Sequence, residues 1–237
     1  MFKPDLSNKK FSWRTENSYI RVIEKKLLKQ VFDDFQGDRI LEVGCGEGTN
    51  LFHLKKYFND ITGLDILEEG LQLASEKLPQ VKFLNCGAKK LPFNDEVFDI
   101  VFIRDVLHHL AGYNEKIMAL KEMRRVCREG GRILIIEPNG RNLISFLQMV
   151  FQKEERGIKT STANNIKKLL SESNLNKFKI EYAEPLPTDR LIMHYRFGFP
   201  WLGYIPVSRF FLRLFNLLFK IIIPKRLWSY MIYKVQK

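Results

Sequence analysis

A short apolar run, RILEVG at residues 39–44, leads directly into a turn that has three glycines in five positions. The run predicts a buried strand, because the strands of parallel sheets read as continuous apolar segments. Four more such runs follow, and segments with helical spacing separate most of them. The predicted strands are 39–44, 61–65, 81–85, 98–104 and 132–138, and the predicted helices between them are 48–58, 67–77 and 113–127. This alternation predicts a parallel sheet that has helices on both faces.

The pattern is looser on either side of this region. The further predicted elements are helices over 17–35 and 163–174 and strands over 177–184 and 228–235. The fold class is therefore α/β, with a doubly wound, mostly parallel sheet of seven strands. We divide the chain into a main domain, residues 1–184 with 228–237, and an aromatic and basic helical insertion over 185–227, before the last strand.

The glycine turn has the spacing G-x-G-x-G, from Gly44 to Gly48. Glycines let a ligand approach bare backbone, and the helix that follows offers free N–H groups. A dinucleotide fingerprint would need G-x-G-x-x-G, and a P-loop would need Gly-Lys-Ser/Thr, so both are excluded. Asp65 ends the second strand, where a carboxylate accepts hydrogen bonds from ribose hydroxyls. An aspartate there is by itself more often a turn or cap residue, but together with the loop it predicts a nucleoside at the carboxyl edge of the sheet.

The segment from Arg39 to Pro138 resembles the class I S-adenosylmethionine-dependent methyltransferases of the methyltransferase type 11 family. The resemblance rests on ILEVGCGEG (40–48), LD (64–65), LPFNDEVFDIVF (91–102), VLHHL (106–110) and REGGRILIIEP (128–138). It implies a Rossmann-like methyltransferase fold and S-adenosyl-L-methionine as the cofactor.

The resemblance also implies a set of cofactor-binding residues. The loop that holds the methionine part corresponds to Glu42, Gly44, Cys45, Gly46 and Gly48. The ribose falls to Asp65 and the adenine to Ile66, and Gly87, Ala88 and Arg104 complete the expected site. The family usually has an acidic residue before the alanine after the third strand, where this chain has Gly87. Adenine would then be held by backbone and apolar contacts, or the affinity for the cofactor would be modest.

The reacting end is predicted after the fourth strand, where His108 and His109 lie. The methyl donor carries an activated group, so the protein mainly aligns the reactants, and a base is needed only when the acceptor arrives protonated. A histidine can take such a proton, and the resemblance favours His109 over His108 as the catalytic residue. The alternative is that both histidines cap or pack the loop.

Two further groups are expected near the acceptor. Glu137, Pro138 and Asn139 resemble the family's E-P-N sequence and would line the acceptor side. His194 and Tyr195 would belong to a lid over it. The three cysteines have no paired spacing, so no metal site and no disulfide is predicted.

The insertion contains a helix, predicted over 206–223, with an unusually narrow polar face. At 100° per residue its polar stripe consists of Arg209, Arg213, Asn216 and Lys220. Nearly all of its other residues are Phe, Leu or Ile, so most of its circumference should be buried. Three partners could cover it: the protein's own sheet, a second copy in a homodimer, or a bilayer. The basic stripe and the flanking tryptophans favour an anionic membrane surface.

Most of the net charge of +12 comes from the C-terminal quarter. Residues 190–237 hold nine Lys and Arg and no Asp or Glu, so residues 1–189 hold the other 30 basic residues and all 27 acidic ones. This distribution excludes a uniformly basic coat for nucleic acid. There is no apolar run of signal-peptide type at the N-terminus and no run long enough for an ordinary membrane span. We expect a cytoplasmic protein, peripheral on the inner face of a membrane.

The favoured function is an S-adenosylmethionine-dependent methyltransferase that acts on a small or lipid-linked acceptor at the membrane surface. One alternative is an RNA methyltransferase that uses the basic C-terminal region. The pattern disfavours nucleic acid as a partner, because the aromatic residues there alternate with Leu and Ile at helical spacing instead of forming a stacking platform. The other alternative is a degenerate, non-catalytic scaffold that binds the cofactor, which the intact glycine loop and Asp65 disfavour.

Overall fold

The computed structural model describes residues 4–32, 39–185, 188–195 and 198–237. The strands are β1 (Arg39–Val43), β2 (Asp60–Asp65), β3 (Lys82–Asn85), β4 (Phe98–Arg104), β5 (Cys127–Pro138), β6 (Phe178–Ala183) and β7 (Tyr230–Gln236). They form one sheet in the order β3-β2-β1-β4-β5-β7-β6. The first five strands are parallel, and β7 pairs antiparallel with both β5 and β6. The predicted seven-stranded, mostly parallel sheet is confirmed.

Helices lie between and beyond the strands. They are α1 (Pro4–Thr15), α2 (Ser18–Phe32), α3 (Thr49–Leu54), α4 (Glu68–Lys77), α5 (Tyr113–Val126), α6 (Leu143–Phe151), α7 (Ala163–Glu172), α8 (Thr188–Ile192) and α9 (Pro206–Ile222). Short 3₁₀ helices are Leu107–His109, Lys153–Thr160, Pro200–Tyr204 and Lys225–Leu227. The sequence analysis did not predict α1, α6 or α8. The end predicted for the 17–35 helix lies outside the described residues.

Both faces of the central strands are buried, as the continuous apolar runs require. In β4, Val101 and Ile103 belong to one core cluster, and Ile100 and Phe102 belong to the other. The first cluster includes residues of α5 and α7, and the second includes residues of α2, α3 and α4. The strand ends are thereby fixed from both sides, and the loops at the carboxyl edge of the sheet start from a rigid base.

The structure tests one of the three partners considered for the helix α9, namely the protein's own sheet. None of the residues of this helix is buried within this chain. Its half-buried side includes Leu212 and Asn216, and its apolar residues from Phe210 to Ile222 are mostly exposed. The protein's own sheet therefore does not cover this helix. Among the described residues, no helix is long and apolar enough to cross a membrane.

Candidate functional site

The glycine loop is held against the end of β2 by backbone hydrogen bonds. The N–H groups of Gly44 and Cys45 both donate to the Leu64 carbonyl, at 2.7 and 2.9 Å. Gly44 has a φ of 75°, and a Cβ on it would lie 2.3 Å from Cγ2 of Val106. Only glycine therefore fits at this position, which lies where the loops after β1 and β4 meet.

The side chain of Asp65, at the end of β2, binds the backbone on both sides of the site. Its Oδ2 accepts from the Gly46 N–H at 2.8 Å, and its Oδ1 accepts from the Leu67 N–H at 2.9 Å. Each carboxylate oxygen has a second lone pair, so the side chain can fix the loop and still accept bonds from a ligand. The next residue, Ile66, is 72% exposed and lies beside Gly87. This pairing leaves an open apolar surface next to the carboxylate.

A cavity of about 800 Å³ opens at the carboxyl edge of the sheet. Its walls bring together the predicted residues Gly44, Cys45, Gly46, Asp65, Ile66, Gly87, Ala88, Arg104, His108 and His109. Of the predicted cofactor-binding and catalytic residues, only Glu42 and Gly48 are not among its lining residues. Gly48 shapes the loop with a φ of 74°. The cavity is large enough for a nucleoside-containing ligand and a small acceptor.

Glu42 lies fully buried behind the loop. Its Oε1 accepts from Nδ2 of Asn50 at 2.5 Å, and its Oε2 has no hydrogen-bond partner among the described residues. Burial raises the pKa of Glu42 to about 8, although the Asn50 hydrogen bond and the nearby guanidinium groups of Arg14 and Arg104 lower it in part. Glu42 is not among the residues that line the cavity. It positions the side chain of Asn50, which does line it.

A second buried carboxylate, Glu24 of α2, organises the other side of the cavity. Three guanidinium groups converge on it: Arg14 from α1 at 3.0 Å, Arg104 from β4 at 2.7 Å, and Arg190 from α8. Burial alone would raise the pKa of Glu24, but the three arginines hold it well below its ordinary value. Arg104 thus uses one of its nitrogens to donate to Glu24 and to Oδ1 of Asn50, and it remains among the residues that line the cavity.

The Glu24 cluster was missed by sequence reasoning, although the sequence holds one signal for it. Glu24 is four residues after Ile20 and three before Leu27, on the face of α2 that is otherwise apolar and buried. An acidic residue on such a face needs a charged partner. The identity of the partners could not be read from the sequence, because Arg104 and Arg190 are 80 and 166 residues away.

The predicted lid residues lie at the cavity. His194 and Tyr195 line it, and both rings contact Trp13 of α1, at centroid distances of 5.5 and 5.6 Å. The preceding helix α8 is held by Arg190, which binds Glu184 as well as Glu24. Elements from both ends of the chain therefore form this wall.

His108 and His109 have different surroundings. His108 is buried, and its Nδ1 lies 2.8 Å from Oε2 of Glu137, while its Nε2 lies 3.3 Å from Oε2 of Glu155. Burial alone would lower the pKa of His108, but these two carboxylates raise it to about 10. His109 is exposed to the cavity, and burial together with the charge on His108 lowers its pKa.

The three residues of the predicted E-P-N group have different surroundings in the structure. Glu137 is fully buried, and its Oε1 accepts from the N–H groups of Val106 and Leu107, so it holds the histidine loop in place. Asn139 donates to the carbonyl groups of Arg226 and Trp228. Of the three residues, only Pro138 is among those that line the cavity. Glu137 and Asn139 therefore support the acceptor side instead of lining it.

Comparison with known proteins agrees with this arrangement. Residues 41–135 match the family model that is described as a methyltransferase domain. A curated relative, the demethylmenaquinone methyltransferase of Staphylococcus aureus, is 35% identical over 130 residues, which is 51% of this chain and 53% of the relative. The chain thus matches about half the length of this relative.

Solved structures have the same fold at low sequence identity. Phosphoethanolamine N-methyltransferase 2 of Haemonchus contortus, in complex with S-adenosyl-L-methionine, gives a TM-score of 0.70 at 17% identity, over 99% of this chain and 57% of that one. A possible histamine N-methyltransferase of Thermotoga maritima gives 0.69 at 14% identity, over 99% and 97%. Both alignments cover 99% of this chain, so the structural similarity extends beyond the residues 41–135 that match the family model.

Proposed function

We propose that this chain, which carries a class I S-adenosylmethionine-dependent methyltransferase domain, transfers a methyl group to a small, lipid-like acceptor at an anionic membrane surface. The methyltransferase part rests on the glycine loop, on Asp65 and on the family match of residues 41–135. The membrane part rests on one observation, the outward-facing apolar side of α9.

The residues at the loop end fit S-adenosyl-L-methionine. Gly44 and Gly46 leave the backbone bare where the methionine part would lie, Asp65 has lone pairs for the ribose, and Ile66 and Gly87 offer an apolar surface for the adenine. The cofactor supplies a methyl group on a positively charged sulfur, which an acceptor atom can displace in one step. The chain's part is to align the acceptor with that group and to keep water out, which is worth about 7–11 kcal/mol in favourable cases.

The acceptor end would be closed by Trp13, His194 and Tyr195 on one side and by the His108–His109 loop on the other. Of the two histidines, His109 is the one whose side chain is open to the cavity, so it is our candidate for taking a proton from the acceptor. His109→Ala should then reduce turnover by about 10²–10⁴-fold and leave cofactor binding intact. A loss of less than tenfold would show that alignment alone drives the reaction.

The acceptor's lipid-like character is supported by the matched relative and by the rim of the cavity. The relative's name gives demethylmenaquinone as its substrate. In this chain, α6 and α8 line the cavity with Ile144 and Leu191, and both helices also expose apolar residues to solvent. An acceptor with an apolar part could leave that part on this rim while its reacting atom lies inside.

The outer face of α9 is the surface that would meet the bilayer. Its exposed apolar residues include Phe210, Phe211, Leu214, Leu217, Leu218, Ile221 and Ile222. Arg213 and Lys220 lie at the edge of this face, and Lys225 and Arg226 follow the helix. Each basic residue near an anionic surface contributes about 1 kcal/mol, and the apolar side chains contribute by burial. An anionic bilayer matches both properties.

The same surface is joined to the cavity at two places. Leu212 of α9 packs on the buried cluster of Trp13, Tyr19, Ile20 and Met193, of which Trp13 lines the cavity. Beyond the end of α9, Asn142 donates to the Leu227 carbonyl at 2.8 Å and so fixes the start of α6, where Leu143 and Phe146 are exposed. A membrane under α9 would therefore lie close to the cavity rim, on the inner face where a cytoplasmic protein would bind.

Turnover can be tested with extracted membrane lipids and labelled S-adenosyl-L-methionine. We expect label to enter a lipid-extractable product with the wild-type protein and not with Gly44→Ala. Label in RNA instead would favour the basic region as a nucleic-acid site, and binding of the cofactor without any transfer would favour a non-catalytic scaffold. Binding of NADH and not of S-adenosyl-L-methionine would overturn the assignment.

Membrane binding can be tested by flotation with anionic and zwitterionic vesicles. We expect flotation with anionic vesicles that salt weakens and does not abolish, because the apolar face supplies part of the energy. The double variant Phe210→Glu/Ile221→Glu should not float, and Tyr57→Glu, which changes an exposed aromatic residue elsewhere, should float normally. Protein that stays in the dense fraction as a homodimer would show that a second copy covers α9.

A further inference from the structure

The loop after β4 and the 3₁₀ helix Lys153–Thr160 bring together two imidazoles and a carboxylate. His108, His109 and Glu155 each offer one ligand atom, and these atoms lie within 4.8 Å of one another. Nε2 of His108 is buried and makes no aligned hydrogen bond with any described residue, although it lies 3.3 Å from Oε2 of Glu155. All three residues are among those that line the cavity.

The surroundings of His108 leave this nitrogen available. Its Nδ1 is paired with Glu137 at 2.8 Å, and Glu137 is itself fixed by two backbone N–H groups. A carboxylate behind one ring nitrogen is the usual support of a histidine that binds metal through the other. The carboxylates of Glu137 and Glu155 lie 2.8 and 3.3 Å from the two nitrogens of this ring, and their negative charge favours a cation at this place.

Two glycines let the segment of Glu155 pack against the histidine loop. A Cβ on Gly157 would lie 1.7 Å from the His108 carbonyl oxygen, and one on Gly140 would lie 2.3 Å from the Ile158 carbonyl oxygen. Neither contact is tolerable, so the close approach depends on both glycines. The backbone is thus built to hold Glu155 against the two histidines.

We propose that His108, His109 and Glu155 bind one divalent first-row transition-metal cation of the Zn²⁺, Mn²⁺ or Fe²⁺ class. Two imidazoles and one carboxylate suit such ions, and three protein ligands leave positions open toward the cavity. Because the open positions face the acceptor, the site selects acceptors that react through a hydroxyl or phenol oxygen. With a cation bound, His109 is a ligand and not the base: coordination lowers the pKa of the acceptor's hydroxyl, and the proton passes to water before the oxygen takes up the methyl group. The acceptor part of this inference rests on the proposed function, whereas the binding of the cation does not.

The direct test is a titration of the purified protein with Co²⁺, followed by its visible absorption, and with Zn²⁺, followed by calorimetry. We expect one equivalent to bind, and Glu155→Gln and His109→Ala to bind at least tenfold more weakly. Glu154→Gln changes the exposed neighbour of Glu155 and should bind as the wild type does. Failure of the wild type to saturate, or equal affinity in all four proteins, would overturn the site.

Two further measurements separate this inference from the proposed function. Cation binding without S-adenosyl-L-methionine binding would leave the metal site in place and remove the proposed function, and the reverse would remove the metal site alone. In turnover assays, a cation predicts that Glu155→Gln loses activity together with His109→Ala and that a chelator inhibits the wild type. Activity that withstands the chelator and the Glu155→Gln change would leave His109 acting by itself as the base and would overturn the role of the cation.

Discussion

At the glycine-loop end of the cavity, hydrogen bonds from backbone N–H groups fix the residues in place. At the other end, ion pairs between buried side chains join the helices and the strand. Gly44, Cys45 and Gly46 are fixed by N–H groups that donate to the end of β2. On the far side, α1, β4 and α8 are joined to α2 through the one carboxylate of Glu24. The first arrangement depends on conformation at a few adjacent positions. The second depends on charges that come together only when four elements have packed, so a single substitution there should disturb more of the molecule.

The largest expected effect is therefore that of Glu24→Gln. The change removes the carboxylate that lies 2.7 Å from Arg104, whose side chain is 2% exposed. Removing one partner of a buried ion pair typically lowers the free energy of unfolding by about 3–5 kcal/mol. Urea denaturation would measure the loss, with the exposed Glu76→Gln as the control that should change by no more than about 0.5 kcal/mol. A loss below 1 kcal/mol would show that the cluster does not hold these elements together.

This difference also decides what the sequence could predict. The first five strands, their parallel arrangement and the place of the loop followed from local patterns, namely apolar runs, glycine spacing and Asp65 at a strand end. For that reason, all but two of the predicted cofactor-binding and catalytic residues line the cavity. Glu155 and the partners of Glu24 come from distant segments and have no local pattern, so only the packed chain brings them together.

The helices that were missed have a physical reason of their own. The α1 segment, PDLSNKKFSWRT, has no apolar stripe, because its few apolar residues are spread around the helix. It is stabilised instead by contacts such as Phe11 on Phe52 and Arg14 on Glu24. In α9, by contrast, the apolar pattern predicted the helix and left its partner open, since a periodic pattern gives the width of an apolar face and not what covers it.

The variant Asp65→Ala tests whether the glycine-loop end of the cavity binds the cofactor. Hydrogen bonds to a charged group contribute about 1.5–3 kcal/mol, so the variant should bind S-adenosyl-L-methionine more weakly by that amount. The loop also loses its bond from Gly46, which adds to the effect. Calorimetry would measure the affinity, and Glu68→Ala on the exposed start of α4 controls for the loss of a nearby charge. Unchanged affinity would remove Asp65 from the site.

Gly44 and Gly46 allow the cost of a positive φ to be measured separately from the cost of a steric clash. Both Gly44 and Gly46 have positive φ, which costs any other residue about 1–2 kcal/mol. A Cβ on Gly46 meets nothing within 4 Å, whereas one on Gly44 meets Val106 at 2.3 Å. Gly44→Ala should therefore lower the free energy of unfolding by about 1–3 kcal/mol more than Gly46→Ala does. The double change Gly44→Ala/Val106→Ala should recover most of that difference, and equal losses in the two single variants would contradict the steric account.

Glu42 connects the two ends, because Asn50 donates to it and accepts from Arg14 and Arg104 at 3.0 and 2.9 Å. With burial raising its pKa to about 8, the folded protein keeps a proton that the unfolded chain, with an ordinary pKa of about 4.3, has already lost. The unfolded state binds fewer protons in this window, so stability falls as the pH rises from about 4.5 to 8 and levels off above it. The slope from this one group is about 1.4 kcal/mol per pH unit.

The variant Glu42→Gln keeps an oxygen that can accept from Asn50 and cannot titrate. As the pH rises from about 5.5 to 7.5, the wild type should therefore lose stability that the variant keeps. The free energy of unfolding of the variant should increase relative to that of the wild type by about 1.4 kcal/mol for each pH unit. Urea denaturation at several pH values, on protein without cofactor, would measure it, and taking the difference removes groups that titrate in both proteins. Parallel pH curves would mean that Glu42 is already ionised in the folded state. The charges of Arg14 and Arg104 would then outweigh its burial, and the side-chain network around Glu24 would extend to the back of the glycine loop.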